Sequence, residues 1–127
     1  MNTSGFSELE RHKLGCLKSY FAELHSKTVN LYERISVEGT RNVILLQLKM
    51  AEIENLHRSI SQLLDFEVEL HHYEFSSLLH FWENMYHELF QVAENDDHNL
   101  SWLSSRYTSY IEQSTLVDEM LSLQLKK

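Results

Sequence analysis

The sequence predicts an all-α protein, on three observations. Proline is absent, and the 127 residues include only three glycines, Gly5, Gly15 and Gly39. A chain so poor in turn formers cannot supply the many tight reversals of an all-β fold. Its apolar residues recur at steps of three and four, the period of a helix that buries one stripe. Residues 40–94 contain no glycine, so a single helix there would be about 80 Å long at about 1.5 Å per residue.

The first helix is expected over about 7–36. Ser7 and Glu10 form an S-x-x-E capping box in front of it. Its seam is Leu14, Leu17, Phe21, Leu24, Thr28, Leu31 and Ile35, a heptad pattern that lays a narrow stripe on a neighbouring helix. Thr28 is the polar member and a candidate for fixing register. Gly15 costs about 1 kcal/mol relative to alanine, which suggests a close approach by another helix. Cys16, beside Leu17 and Tyr20, reads as a small buried hydrophobe. Glu38-Gly39-Thr40 then supplies a left-handed stop and a new cap, so the next helix should return antiparallel.

The second helix is expected over about 41–94, with serines at 59–61 or 76–77 as the places where it would break. Ile53, Leu64, Phe75 and Tyr86 are spaced by eleven. So are His57, Val68, Leu79 and Phe90, and so are Ile60, His71, Trp82 and Ala93. That rhythm keeps phase across both serine sites and predicts a nearly straight continuous helix. A second ridge, Leu63, Phe66, Leu70, Tyr73, Phe81 and Met85, is interleaved with Glu67, Glu74 and Glu88. So wide an apolar arc needs two or more neighbours. Half of the fourteen aromatic residues fall between Phe66 and Phe90, which places the heaviest core layers there.

Asn95-Asp96-Asp97-His98-Asn99 reads as a loop, and a third helix should follow over about 100–125. Its seam is Leu103, Tyr107, Tyr110, Ser114, Val117 and Leu121. The expected protein is one helical domain: an antiparallel hairpin or a three-helix, coiled-coil-like bundle around one long central helix. A second copy would then complete four-helix cross-sections as a homodimer.

Charge bounds the function. The formal net charge is −8, which opposes binding to nucleic acid and makes a membrane surface an unfavourable partner. The cations are scattered. The N-terminal residues lack the basic-then-apolar pattern of a signal peptide, and a lone cysteine fits a reducing compartment. The expected location is the cytoplasm.

A Glu/His stripe on the second helix is the most chemical feature: Asp65, Glu69, His72, Ser76, His80, Glu83 and His87. Glu54/His57 and Glu69/His72 have the E-x-x-H spacing of di-iron bundles. On one straight helix they would lie about 22 Å apart, and they would meet only if the helix folded back between them. His80, Glu83 and His87 are the metal candidates. His80 and His87, about 10.5 Å apart along the axis, need a further ligand from elsewhere. The expectation is no metal, no cofactor and no catalytic residue, since nucleophile elbows and phosphate loops are absent. His57 and His71, on the expected core face, raise the idea of a pH-sensitive assembly.

Ser61-Gln62-Leu63-Leu64-Asp65-Phe66, with Leu70-His71-His72-Tyr73, resembles the last long helix of BAR-type membrane-curvature domains. The likeness covers about a quarter of the chain. It implies a lipid-binding helical module, and the sequence departs from it in lacking a basic concave surface. The favoured expectation is a non-catalytic protein–protein interaction module: an acidic adaptor, chaperone or inhibitor. Its partner-binding residues would be exposed members of the ridge Leu63, Phe66, Leu70, Tyr73, Phe81 and Met85. A helical metal-binding protein is the remaining alternative.

Overall fold

A computed structural model describes residues 8–38, 43–95 and 100–126. The described residues are helical apart from one reversal and Leu100, which precedes the last helix. In order they form α1 (Glu8–Glu38), α2 (Val43–Phe66), a 3-10 turn (Val68–Leu70), α3 (Tyr73–Asn95) and α4 (Ser101–Lys126). The Ser7 half of the capping box, the Gly39-Thr40 turn and the 96–99 loop lie outside the described residues.

All seven seam positions of α1 are buried, Thr28 included. Four of the six α4 seam positions, Leu103, Tyr110, Val117 and Leu121, are fully buried; Tyr107 and Ser114 are partly so. Burying a Leu, Ile or Phe side chain is worth roughly 1.5–3 kcal/mol, so these stripes decide which face of each helix turns inward.

The expected continuous second helix is absent. The chain reverses at residues 67–72, at neither of the serine sites. Glycine and proline have no part in it. One straight helix would leave much of its wide apolar arc in water, whereas reversal lets Ile53, Ile60, Leu64, Leu70, Phe75 and Trp82 enter one shared core. The backbone cost is limited because the turn satisfies its own groups. The amides of Glu67, Leu70, His71 and His72 donate to the carbonyls of Leu63, Glu67, Val68 and Leu70 at 2.9–3.0 Å. Burial therefore outweighs helix propensity here.

Cross-contacts fix the arrangement. Lys27 pairs with Glu52, and Lys13 with Glu67, so α1 and α2 run antiparallel. His57 stacks on Trp82 at 4.5 Å, which places α3 antiparallel to α2. Arg11 Nη1 donates to the Leu125 carbonyl at 3.1 Å, Lys18 pairs with Asp118, and Tyr32 stacks on Tyr107 at 3.7 Å. These close α4 against α1. Phe21–Phe75 and Thr28–Trp82 cross the middle from α1 to α3. The four-helix cross-section assigned above to two copies is thus completed within one chain.

Two smaller expectations are corrected. A Cβ built at Gly15 would meet nothing within 4 Å, so that glycine does not serve a close helix approach. Cys16 is only partly buried, with its Sγ 3.8 Å from His12 Nε2.

Candidate functional site

The reversal does more than turn the chain. Leu70 is 1% exposed and plugs the core, while Phe66 (81%), Val68 (73%) and Tyr73 (81%), on either side of it in the chain, stand almost fully in water. Lys13 of α1 clamps Glu67. The result is an apolar knuckle on a fastened backbone. It is acidic by sequence: Asp65, Glu67, Glu69 and Glu74 fall within ten residues that contain no lysine or arginine. Single exposed apolar side chains are ordinary on protein surfaces; these three are set apart by falling within eight residues of one turn.

The six ridge residues are divided by the reversal. Phe66 and Tyr73 are exposed, Leu63 and Phe81 are partly buried against the core, and Leu70 and Met85 lie inside it. Val68 belonged to the expected core rhythm and instead joins the exposed set. Its position between Glu67 and Glu69 is the signal that could have marked it.

The Glu/His stripe is divided as well. Asp65 sits on α2, His72 in the turn, and Ser76, His80, Glu83 and His87 on α3. His80, Glu83 and His87 are all exposed. Among the described residues no three His, Cys, Asp or Glu side chains are grouped to hold a metal ion. The chain does fold back between the two E-x-x-H pairs, but Glu69 and His72 lie in the reversal itself, away from Glu54 and His57. Instead, positions mirrored about residue 70 meet. His57 Nε2 approaches Glu83 Oε1 at 3.7 Å, and Glu54 lies beside Tyr86. Trp82 stacks with the His57 and Tyr86 rings, at 4.5 and 4.8 Å, and its Nε1 donates to Thr28 Oγ1 at 3.0 Å. Thr28 is thus paired across the core with α3.

Burial lowers the His57 pKa, with Glu83 opposing and Arg58 adding to the shift. Burial likewise lowers that of His25, opposed by Asp118. His25 Nδ1 lies 3.3 Å from Tyr110 Oη and 3.2 Å from Ser114 Oγ. One ring nitrogen shared by two hydroxyls is the arrangement of a hydrogen-bonded core histidine. Burial pushes the phenols of Tyr86 and Tyr110 well above their usual range. His71 is exposed, contrary to the expected core position.

A pH dependence follows, with a definite sign. Both lowered imidazoles stay neutral in the folded chain at pH values where the unfolded chain, near the ordinary 6.5, already takes up protons. Their contribution to stability is complete above 6.5 and is lost as pH falls through the lowered folded values. Thermal melts should therefore show a lower midpoint at pH 5 than at pH 7.5. The double variant H25Q/H57Q should show a smaller difference between the two. An unchanged pH difference in that variant would assign the effect to other groups.

A polar groove of about 220 Å³ lies between α1 and α2, lined by Ser26, Lys27, Asn30, Lys49, Glu52 and Ile53. Glu52 already pairs with Lys27 there, which offsets the groove's positive charge. No described helix is long and apolar enough to cross a membrane. The chain has no match among family models, curated proteins or solved structures.

Proposed function

We propose that this chain is a non-catalytic protein–protein interaction module, an acidic adaptor, chaperone or inhibitor that engages its partner through the α2–α3 reversal. The observation that carries this is the exposure of Phe66, Val68 and Tyr73 on either side of the buried Leu70. Phe66, Val68 and Tyr73 fall within eight residues, and among the apolar side chains of that turn only Leu70 enters this chain's core, so burying the other three takes a second molecule. Fastening the backbone first reduces the entropy lost when a partner orders the surface. Scattered acidic charge elsewhere keeps the rest of the molecule from associating indiscriminately. A cytoplasmic setting suits a protein whose single thiol is half-exposed.

The test is the double variant F66E/Y73E. Both side chains are exposed, so the change should cost the fold little, on the order of 0.5 kcal/mol per site. Circular dichroism and the melting midpoint should hardly move. Sedimentation velocity and pull-down from native lysate should show loss of whatever association the wild type makes, including a homodimer if the partner is a second copy. A variant that keeps both its sedimentation coefficient and its bound proteins would rule out the reversal as the contact surface.

A further inference from the structure

We infer that the occupant of the α2–α3 reversal is a basic amphipathic segment, rich in lysine or arginine with apolar groups along one side. This rests on the contact surface proposed above and adds the chemistry of what sits on it.

Charge complementarity around an apolar centre points to that chemistry. Three exposed apolar side chains supply the anchor points, Phe66, Val68 and Tyr73. Asp65 and Glu74, both exposed, stand immediately beside Phe66 and Tyr73 in the chain. No lysine or arginine occurs between residues 65 and 74. The segment already accepts one lysine, because Lys13 reaches across from α1 to Glu67. A partner carrying cations beside its apolar anchors would extend that pairing outward.

The two other occupants of an apolar surface fit less well. In an isologous contact a second copy would present the same acidic segment to itself, and like charges face to face disfavour that complex. An anionic membrane meets the same repulsion, reinforced by the chain's formal charge of −8. The Leu70 plug and the internal hydrogen bonds of the turn hold the surface before the partner arrives, so a short segment should suffice.

The experiment uses the full chain and fluorescence anisotropy with two labelled helical peptides. One has lysine and leucine at alternating three- and four-residue spacing, and its counterpart has glutamate in place of each lysine. The wild type should bind the lysine peptide at least about tenfold more tightly than the glutamate peptide, as two or three favourable charge pairs imply. Raising the salt from 0.1 M to 1 M shortens the screening length from about 10 Å to about 3 Å and should weaken that binding. The variant D65K/E74K should reverse the order of the two peptides, and F66S/Y73S should weaken both.

Equal binding of the two peptides, or an unchanged order in D65K/E74K, overturns the basic-partner inference. The contact surface itself survives that result if F66S/Y73S still weakens both. If F66S/Y73S leaves lysine-peptide binding intact, the contact surface falls and the inference with it. Absence of wild-type binding to the lysine peptide at about 0.1 mM also overturns the inference. Dimerisation abolished by F66S/Y73S, or co-sedimentation with phosphatidylserine vesicles, would then identify the occupant as a second copy or a membrane.

Discussion

Trp82→Ala should leave a chain that no longer unfolds as a cooperative unit at 37 °C. The side chain is 2% exposed and stacked on two other rings, His57 and Tyr86. Truncating a buried tryptophan costs about 3–5 kcal/mol through lost transfer energy and the cavity left behind. A domain of this size has about 5–15 kcal/mol in total, so the loss is a large share of all that holds it. The indole also joins three helices: α3 carries it, His57 of α2 stacks on it, and Thr28 of α1 accepts its hydrogen bond. Urea titration followed at 222 nm gives the measurement. Thr28→Val isolates the hydrogen bond and should cost about 1–3 kcal/mol, the penalty for an unsatisfied buried donor. If Trp82→Ala kept most of the wild-type midpoint, the three-helix junction would not be central to the fold.

Leu70→Ala should cost about 2–5 kcal/mol, and its second effect separates positioning from contact. Leu70 is inaccessible to any partner, yet it pins the turn that displays Phe66, Val68 and Tyr73. Removing it should abolish amide-exchange protection at His71 and His72, whose bonds close the turn. Partner affinity should fall with it, even where the helices remain folded. Leu70→Met, which refills most of the volume, should restore both. Full affinity in a Leu70→Ala chain with an unprotected turn would show that a pre-set surface is not needed.

Much of the fold was legible because the stripes of α1 and α4 are narrow and regular. A narrow stripe has one way to be buried, and Leu14 through Ile35 and Leu103 through Leu121 follow it. The middle of the chain was harder to read. Its wide arc correctly demanded several neighbours, but it fitted two solutions, a rod covered by other chains and a helix doubled back on itself. Local signals could not separate them, because the eleven-residue rhythm stays in phase across the reversal and no glycine or proline marks it. The deciding quantity was the apolar area that doubling back removes from water, which is a property of the whole chain. The candidate site inherits the same history. The sequence offered all six ridge residues alike, and nothing local set Phe66 and Tyr73, which are exposed, apart from the others. Leu70 and Met85 shared their ridge on a straight helix but pass inward once the chain turns. The meeting of His57 with Glu83 depends on the reversal lying near residue 70.

The uninterrupted run of α2 also makes it a strut. Ile44, exposed near its start, and Phe66, exposed at its end, are separated by twenty-two residues, or about 33 Å of helix. Proline is absent from that span, and α1 packs along it. Anything seated at the reversal is therefore held at a set distance from the opposite pole of the bundle, as by a ruler and not by a hinge.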